Sequence, residues 1–549
     1  MNLANLDDLF NQVVVEHPKS ELKTRSSSRE ASKEYQVATF ERLQEKVARV
    51  SQSFHDHGLR KGDKVAIVGK PSTRWVIAFF AAQRLGAIVV PLAADLTSQE
   101  IRRILQESRS KFAVLDPGGQ RKLLTVTDLL SNLELIAVYG TEAENDFLSW
   151  ENLLSRGQYS GSAYSDSDDT AVLMYTSGTM GDAKGVMLSH RNLLTNVADL
   201  CDILNLGSGD TVASILPWFH IYGLTTGLLT PLAIGASTIF TDNYRQLPSV
   251  LKENGATILL GVPKLYNVLY RELKAKVHSS WITRAISRYL PEVLKWKIKR
   301  ELAGSQFRFA VSGGAPLDPK VAQGLKDLGI GIYEGYGLTE TSPVLTWTED
   351  PHKDNQGSVG TPLPSVQLKI DSPDDSGAGE VLVKGPVVMQ GYYKNPEKTD
   401  EAIDDDGWFH TGDLGYFRDD RWLHLYGRKK NLIVLPSGKN VYPEEVEWEL
   451  ARLPYIEEVL VQEKQRDGQP VVAASIYPDY GELEKDGYKT ASQIKSKIWQ
   501  LVKETGRNLA PYKRIKSKSD LSLMDHPFEK TPTLKVKRHL YKDEQVAEH

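Results

Sequence analysis

Cysteine is almost absent from this chain. Its 549 residues include one cysteine, Cys201. A single cysteine cannot form a disulfide within the chain, and it cannot supply the thiolate set of a cysteine-rich zinc site. We therefore expect the protein to work in a reducing compartment, the cytoplasm.

An excess of positive charge is also lacking, since 67 Lys and Arg stand against 71 Asp and Glu, a formal net charge of −4. A chain with this balance does not attract nucleic acid over its whole surface, so we expect no nucleic-acid partner. The N-terminal sequence MNLANLDDLF lacks the basic start and apolar core of a secretory signal. We expect no signal peptide.

Long apolar runs are scarce. Residues 211–241 contain no Asp, Glu, Lys or Arg, and a stretch of this length could cross a bilayer. However, Pro217, Pro231 and several glycines interrupt it, and its pieces VASIL and ASTIF are typical of buried strands. We predict a buried strand–helix–strand unit here rather than a membrane span.

The common glycine-rich nucleotide loops are missing as well. The sequence has no G-x-G-x-x-G motif and no Walker A motif. Instead, residues 175–186 read YTSGTMGDAKGV directly after the apolar run AVLM. Exposed N–H groups of a tight turn, with hydroxyls and a lysine beside them, suit a multiply charged anion. This pattern predicts a phosphate-binding loop after a buried strand.

The first half of the chain alternates helical and strand patterns. Residues 39–58 carry apolar side chains at helical spacing, and KVAIVG after them reads as a short buried strand. The alternation continues through RWVIAFFAAQRLGA, IVVPL, SQEIRRILQESRS and FAVLD, and it resumes with ATILLGV and FRFAVSG. Such alternation predicts mainly parallel sheets with helices packed on their faces.

After Val359 the pattern changes to short strands and turns, such as SVQLKI, GEVLVKG and WLHLYG. Beyond Gly427 it becomes a compact mixture of strands and helices. We predict an α/β fold whose large N-terminal domain, residues 1–427, contains parallel-sheet αβ subdomains and a small β-rich subdomain. A small, mobile C-terminal α+β domain would comprise residues 428–549.

Residues 271–308 are strongly basic, with ten Lys or Arg against three acidic residues. Apolar residues are interleaved with these charges, namely Trp281, Ile286, Leu290, Leu294 and Trp296. Two interpretations stay open. The segment could be a helical hairpin resting on an anionic membrane surface, or a solvated helix whose apolar side packs on the core.

Seven motifs follow one another along the chain: YTSGTMGDAKG, PWFHIYG, SGGAPL, YEGYGLTET, TGD, GRKKNLIV and KTPTLKVK. With these motifs in this order, the sequence resembles the acyl-adenylate-forming (AMP-binding) superfamily, and more closely its long-chain fatty acyl-CoA synthetase branch. The resemblance extends from about Phe40 to Arg538.

This resemblance implies an AMP-forming acid–thiol ligase that uses ATP, Mg²⁺ and coenzyme A. A carboxylate, most often that of a long-chain fatty acid, would attack the α-phosphate of Mg-ATP to give an acyl-adenylate and pyrophosphate. The thiol of coenzyme A would then displace AMP. Because a carboxylate and a triphosphate repel each other, cations and N–H dipoles must gather the charge in a site that excludes water.

The resemblance also implies roles for single residues. The loop that clamps pyrophosphate would contain Thr176, Ser177, Gly178, Thr179, Gly181 and Lys184. The adenine pocket would be lined by Gly313, Gly314, Ala315, Glu334, Gly335 and Tyr336. The ribose hydroxyls would bind Asp413 and Arg428.

The implied catalytic residues lie in four of the motifs. Thr339 would bind the α-phosphate, Glu340 would bind magnesium, and His220 would gate the carboxylate site. Lys535 would reach the adenylation site and stabilise charge on the α-phosphate. The hinge residue would be Lys430, and the pantetheine tunnel would be faced by SGKN (437–440), which contains Gly438.

Three positions depart from the family pattern. Met180 stands where a hydroxyl residue is more usual, Ala183 where proline is more usual, and Leu534 where many relatives have glycine. Lys530 and Lys537 are rivals of Lys535, and position within the motif favours Lys535.

Alternatives remain for the substrates and for the activity itself. The acyl acceptor could be an acyl carrier protein instead of coenzyme A, and the acid could be aryl or medium-chain. A chain of this fold could also bind nucleotide or lipid without catalysis, although the full set of implied catalytic residues argues against that. An ATP-dependent kinase should show a Walker A or kinase-type loop, and the sequence has neither.

Overall fold

The computed structural model describes residues 3–25, 35–126, 133–140, 142–161, 165–176, 184–279, 288–350, 357–373, 377–437, 439–466, 468–530 and 536–541. It divides into two compact units. The first is the described part of residues 1–176, 183–368 and 383–409, and the second is the described part of 369–382 and 410–549.

The strands are numbered in chain order. They are β1 Glu21–Arg25, β2 Gln36–Thr39, β3 Lys64–Val68, β4 Ile88–Leu92, β5 Phe112–Leu115, β6 Leu135–Val138, β7 Leu148–Ser149, β8 Thr170–Tyr175, β9 Gly185–Ser189, β10 Thr211–Ser214, β11 Ser237–Thr241, β12 Ile258–Gly261, β13 Phe309–Ser312, β14 Ile332–Gly337, β15 Val344–Trp347, β16 Thr361–Pro362, β17 Gln367–Asp371, β18 Gly379–Lys384, β19 Gly391–Tyr392, β20 Phe409–Arg418, β21 Trp422–Arg428, β22 Ile433–Val434, β23 Asn440–Val441, β24 Ile456–Arg466, β25 Gln469–Pro478 and β26 Leu521–Leu523.

The helices are numbered in the same way. They are α1 Leu6–Glu16, α2 Phe40–Asp56, α3 Thr73–Arg84, α4 Ser98–Ser108, α5 Pro117–Leu124, α6 Trp150–Leu154, α7 His190–Leu204, α8 Ile221–Leu224, α9 Thr230–Ala233, α10 Leu247–Glu253, α11 Pro263–His278, α12 Pro291–Ala303, α13 Pro319–Asp327, α14 Pro396–Ala402, α15 Pro443–Leu450, α16 Tyr480–Lys485 and α17 Ala491–Thr505.

Two large sheets form the centre of the first unit. One has the order β19-β9-β8-β4-β3-β5-β6-β7 and is parallel except at β9 and β19. The other has the order β16-β15-β14-β13-β12-β10-β11-β1-β2, with parallel pairing from β14 through to β1. Strands such as Phe112–Leu115 are buried along their whole length, as expected where helices cover both faces. The predicted parallel-sheet architecture is confirmed.

Smaller sheets make up the second half of the chain. Strands β17, β18, β20 and β21 form a four-stranded sheet in that order. Strands β24, β25 and β26 form a three-stranded sheet, on which apolar residues of α15 and α17 pack. Helix α15 begins with Pro443, and Glu444 and Glu445 lie in its first turn, where negative charge is favourable. The predicted boundary at residue 427/428 falls inside β21 and stays a prediction.

The uncharged stretch 211–241 forms the predicted strand–helix–strand unit. It contains β10, α8, a π-helical turn at Thr225–Leu229, α9 and β11. Among the helices described for this chain, none combines the length and the hydropathy that a membrane span requires.

The basic segment 271–308 is packed on the core in part, and the membrane-surface interpretation stays a prediction. Leu294 lies in the core, 5% exposed, whereas Leu290 and Trp296 are 56% and 55% exposed. Trp281 and Ile286 lie outside the described residues. Helix α12 therefore packs one side on the core and presents apolar side chains to solvent on another.

Candidate active site

The two stems of the predicted phosphate loop lie side by side in one sheet. Strand β8 ends at Tyr175 and pairs antiparallel with Gly185, the first residue of β9. One residue further on, the N–H of Thr176 donates to the carbonyl of Lys184 at 3.1 Å. The structure thus brings Thr176 and Lys184 together, as predicted from the motif. The other loop residues lie outside the described part of the chain: Ser177, Gly178, Thr179, Met180, Gly181 and Ala183.

Thr339 and Glu340 lie in a 3₁₀ turn, Thr339–Thr341, directly after β14. The Thr341 hydroxyl fixes this turn, because it accepts from the N–H of Leu338 at 3.0 Å and donates to the carbonyl of Pro343 at 2.7 Å. The N–H of Met389 also donates to the carbonyl of Glu340 at 2.8 Å. The backbone on both sides of the predicted phosphate and magnesium ligands is therefore held in place.

A tyrosine that sequence reasoning missed joins the loop lysine to this turn. The Lys184 Nζ atom lies 4.5 Å from the centre of the Tyr392 ring. The Tyr392 hydroxyl donates to Glu340 Oε1 at 2.9 Å. We call Lys184, Tyr392 and Glu340 the phosphate-end cluster.

The phosphate-end cluster suits Mg²⁺ held together with a nucleotide rather than by protein alone. Within the described ranges, no group of three or more His, Cys, Asp or Glu side chains could hold a metal. Magnesium at nucleotide sites commonly takes one or two carboxylates, with phosphates and waters completing its shell. A single carboxylate at Glu340 fits this mode of binding.

The residues predicted for the adenine pocket lie on β14 and in the loop that follows the neighbouring parallel strand β13. Strand β13 ends at Ser312, which pairs with Glu334 of β14, so the loop containing Gly313, Gly314 and Ala315 follows beside Glu334, Gly335 and Tyr336. Gly314 has φ +82°, a conformation that favours glycine. A Cβ at Gly313 would lie 2.8 Å from the Tyr222 ring, so glycine allows the loop to approach that ring closely. The loop and strand thus meet at the carboxyl ends of the parallel strands, where ligands bind in open α/β sheets.

Burial raises the pKa of Glu334 to about 7, while a hydrogen bond from the Leu317 N–H opposes the shift. A carboxyl group with this pKa is largely protonated below neutral pH. Glu334 can then donate a hydrogen bond as well as accept one.

His220 stands at the start of α8, where its N–H donates to the carbonyl of Pro217 at 3.2 Å. Its ring lies 4.7 Å from that of Phe219. Further along this helical segment, the Thr225 hydroxyl donates to the carbonyl of Ser342 at 2.8 Å. The segment that begins at His220 is therefore attached to the chain immediately after the Thr339–Thr341 turn.

Asp413 and Arg428 are cross-strand partners in the β20–β21 hairpin, and Arg428 Nε lies 2.5 Å from Asp413 Oδ1. The neighbouring Glu380 carboxylate accepts from the N–H of Gly412 at 3.0 Å and from Lys429 Nζ at 2.8 Å. We call Glu380, Asp413, Arg428 and Lys429 the ribose-end cluster. The pair that was predicted to hold the ribose is thus brought together, while Glu380 is a second residue that sequence reasoning missed.

The ribose-end cluster borders a cavity of about 290 Å³ lined by Gly412, Arg428, Lys429 and Lys430. Burial by itself would raise the pKa of Glu380, but its hydrogen bonds to Lys429 and His410 lower it overall. Glu380 is therefore a carboxylate that is ionised in the fold. The predicted hinge residue, Lys430, lies in the 3₁₀ turn Lys429–Asn431 at the end of β21.

Two predicted residues of the C-terminal unit, Gly438 and Lys535, lie outside the described residues. Both rivals of Lys535 form ion pairs within this unit. Lys530 pairs with Glu458, and Lys537 Nζ lies 3.6 Å from Glu529. Lys530 and Lys537 therefore each have an acidic partner within the C-terminal unit.

A family model described as "AMP-binding enzyme" matches residues 19–393. Among curated proteins, the long-chain-fatty-acid–CoA ligase of Salmonella typhimurium is 31% identical over 456 residues, which cover 75% of this chain and 76% of that protein. The peroxisomal long chain acyl-CoA synthetase 7 of Arabidopsis thaliana is 28% identical over 594 residues, covering 98% of this chain and 84% of that protein.

Among solved structures, the anthranilate CoA ligase AuaEII in complex with anthranoyl-AMP aligns with a TM-score of 0.79 at 23% identity, covering 98% of this chain and 96% of that one. This likeness confirms the predicted fold. The family match covers more than half of the chain and confirms the resemblance read from the seven motifs. The chain belongs to the AMP-binding enzyme family.

Proposed function

We propose that this protein is a long-chain fatty acid–CoA ligase. It activates a carboxylic acid with ATP to an acyl-adenylate, releases pyrophosphate, and then transfers the acyl group to coenzyme A with release of AMP. Family membership and the named activities of the relatives support the reaction class. The observation that carries the proposal is the phosphate-end cluster, in which a loop lysine and a turn carboxylate contact one tyrosine.

At this cluster, Lys184 and the loop that begins at Thr176 bind the β- and γ-phosphates, while Thr339 binds the α-phosphate. Glu340 would hold Mg²⁺, which would supply positive charge against the triphosphate. Charge gathered in this way lets the acid carboxylate approach the α-phosphorus without a side-chain nucleophile, because positioning and electrostatics suffice for the transfer.

Separate sets of residues are assigned to the base and to the sugar of the nucleoside. Gly313, Gly314 and Ala315 supply close-approaching backbone beside adenine, and Glu334, Gly335 and Tyr336 complete this wall. Asp413 and Arg428 hold the ribose hydroxyls, and Arg428 also pairs with Asp413. These assignments are supported by strand pairing between β13 and β14, and between β20 and β21.

The acid is proposed to bind beside His220, with an apolar tail. The names of the curated long-chain relatives support an apolar tail.

Acid-dependent exchange of labelled pyrophosphate into ATP tests the proposed function. We expect exchange with long-chain fatty acids, and thioester formation once coenzyme A is added. If exchange is strongest with an aryl or medium-chain acid, that acid rather than a long-chain fatty acid would be assigned as the substrate. Exchange without thioester formation on coenzyme A would favour an acyl carrier protein as acceptor, and absence of exchange with every acid would favour a non-catalytic binding protein.

The role of Lys535 as the adenylation lysine is tested by separating the half-reactions. Lys535→Ala is expected to abolish adenylation and leave thioester formation from supplied acyl-adenylate largely intact. Lys530→Ala and Lys537→Ala are matched controls, because both lysines form ion pairs within the C-terminal unit. Equal loss of both half-reactions in Lys535→Ala, or the same loss in a control, would contradict the assignment.

We also propose that helix α12 contacts an anionic membrane surface. Four apolar side chains at its N-terminal end are exposed, namely Tyr289 (74%), Leu290 (56%), Val293 (48%) and Trp296 (55%). Basic side chains flank them, and Arg300 stacks over the Trp296 ring at 5.0 Å. Exposed apolar groups with basic neighbours suit a surface of acidic headgroups above acyl chains.

Co-sedimentation with vesicles tests this contact. The double variant Val293→Ser with Trp296→Ser should be recovered roughly five-fold less on vesicles of about 30% anionic lipid, and added salt should weaken binding of the unaltered protein. Val15→Ser with Val434→Ser is the control, since both valines are exposed elsewhere. Equal recovery of the two double variants would exclude α12 as the contact.

A further inference from the structure

Tyr392 lies between two residues to which the proposed function gives opposite charges and separate tasks. Lys184 contacts the face of its ring, and Glu340 accepts a hydrogen bond from its hydroxyl. Within the part of the chain that the structure describes, no ion pair joins Lys184 directly to Glu340. The neutral side chain of Tyr392 therefore connects the two charges without neutralising either one.

The backbone around Tyr392 is fixed relative to both partners. Tyr392 pairs antiparallel with Val186, two residues after Lys184, and the next N–H along, that of Tyr393, donates to the carbonyl of Gly185 at 2.7 Å. The Tyr392 N–H donates to the Thr399 hydroxyl at 2.9 Å. The short strand β19 thus holds the tyrosine against the stem of the phosphate loop.

The residue before Tyr392 makes this approach possible. Gly391 has φ +140°, and a Cβ there would lie 2.7 Å from Thr399 Cγ2. A larger residue would strain the backbone and displace the strand from its position beside β9. Close to the same segment, the Ser342 hydroxyl donates to the carbonyl of Val387 at 2.9 Å. The chain that carries Tyr392 is therefore also attached to the chain that follows Glu340.

Without Tyr392 between them, Lys184 and Glu340 would be able to form a salt bridge. Such a pair would reduce the charge available to phosphate and to a metal ion. An ammonium on a ring face keeps its positive charge and remains able to donate hydrogen bonds to phosphate. A carboxylate with one oxygen bound by a hydroxyl keeps its other oxygen for a cation.

From this geometry we propose that Tyr392 is a positioning residue for adenylation, and the inference rests on the proposed function of Lys184 and Glu340. Its hydroxyl orients the Glu340 carboxylate toward the divalent cation. Its ring holds the Lys184 ammonium for the phosphates and away from Glu340. The two parts of one side chain thus serve two different ligands. Substitution by Phe removes the hydroxyl alone, and substitution by Leu removes the ring together with the hydroxyl.

Tyr392→Phe removes the hydroxyl and retains the ring. We expect Mn²⁺ to bind the enzyme–ATP complex about 10-fold more weakly, as measured from the electron paramagnetic resonance signal of free Mn²⁺ without any acid present. The Mg²⁺ concentration for half-maximal pyrophosphate exchange should rise by the same factor. Binding of ATP in the presence of EDTA should not change.

Tyr392→Leu removes the ring as well. Here we expect metal-free binding of ATP to weaken about 5-fold in addition, because the Lys184 ammonium loses its support. Adding Lys184→Met to this variant should weaken metal-free binding little further, since the two changes affect the same contact.

Tyr393→Phe is the matched control. Tyr393 is the next residue. The centre of its ring lies 5.4 Å from Lys64 Nζ and 4.9 Å from Lys394 Nζ. We expect this variant to match the unaltered protein in Mn²⁺ affinity, ATP affinity and thermal midpoint.

Unchanged Mn²⁺ affinity in Tyr392→Phe, or an equal loss in Tyr393→Phe, would overturn the proposal. A loss of ATP and Mn²⁺ binding together in Tyr392→Phe, in proportion to a lower thermal midpoint, would show a structural role only and would also overturn it. If the unaltered protein fails to exchange pyrophosphate with any acid, the proposed function fails, while the two binding measurements still decide whether Tyr392 positions Lys184 and Glu340.

Discussion

The phosphate-end and ribose-end clusters both contain charged side chains that the proposed function assigns to ligands, but these charges have different neighbours in the two clusters. In the phosphate-end cluster the opposite charges of Lys184 and Glu340 contact a neutral tyrosine. In the ribose-end cluster Asp413 contacts Arg428 directly, and Glu380 contacts Lys429. Charges that are already paired gain little when a ligand replaces one partner, whereas charges kept apart retain most of their capacity to bind. The phosphate-end cluster should therefore contribute more to the reaction, and the ribose-end cluster more to orientation and stability.

The largest effect is expected for Glu340→Gln. The amide can still accept the Tyr392 hydrogen bond, but it lacks the charge that a cation needs, so kcat for pyrophosphate exchange should fall about 100- to 1,000-fold. Glu401→Gln, in an exposed pair on α14, is the control and should retain full activity. A loss below about 10-fold would mean that the two clusters contribute alike.

Asp413→Asn should have the next largest effect. The KM for ATP should rise about 10- to 50-fold because a charged acceptor of ribose hydrogen bonds becomes neutral, while kcat changes little. Asp420→Asn, at the turn of the same hairpin, is the control. A fall in kcat without a rise in KM would contradict the orienting role of this cluster.

Glu380→Gln should act mainly on stability. The Glu380 side chain is 7% exposed and holds Lys429 and the N–H of Gly412, so we expect the free energy of unfolding to fall by about 2 kcal/mol. The pKa of Glu380 is lowered in the fold, so its contribution is present above the ordinary carboxyl range and is lost as the pH falls through the folded pKa. Chemical denaturation at several pH values checks this. A difference from the unaltered protein that persists undiminished in acid would contradict it.

The smallest effect is expected for Glu334→Gln. This variant should raise the free energy of unfolding, whereas Glu380→Gln should lower it. Burial raises the pKa of Glu334 to about 7, so its contribution to stability is present below the ordinary pKa of about 4.5 and is lost as the pH rises to 7. Relative to the unaltered protein, Glu334→Gln should gain stability between these two pH values and keep that gain above them. Lys429 lies beside Glu380, whereas among the described residues burial is what raises the pKa of Glu334. If the stabilities of the two variants changed with pH in the same direction, this difference between the two carboxyl groups would be contradicted.

Local patterns were enough to predict much of this molecule. Alternating apolar segments predicted the parallel sheets, and the glycines and prolines of residues 211–241 predicted a buried unit there. The roles of Thr176, Lys184, Asp413 and Arg428 came instead from the family resemblance, which rests on the order of seven short motifs.

Tyr392 and Glu380 could not be found in this way, because their importance depends on pairing between distant strands. Tyr392 is 52 residues from Glu340, and Glu380 is 32 residues from Gly412. In the sequence, one is a tyrosine in GYYKNP and the other is an ordinary charged residue of GEVLVKG. The sheet registers that place them beside the predicted residues are set by packing of whole strands, which no local motif encodes.

The β20–β21 hairpin also determines where chimeras of this protein and a relative should be joined. A gene fragment starting at codon 428 would encode Arg428 without its cross-strand partner Asp413. It would also omit the other three strands of the four-stranded sheet, β17, β18 and β20. Exchanges of C-terminal segments with a relative should therefore be joined after Asn431, where the 3₁₀ turn beyond β21 ends. Chimeras joined there keep the hairpin in one parental piece, and those joined at 428 split it between two parents.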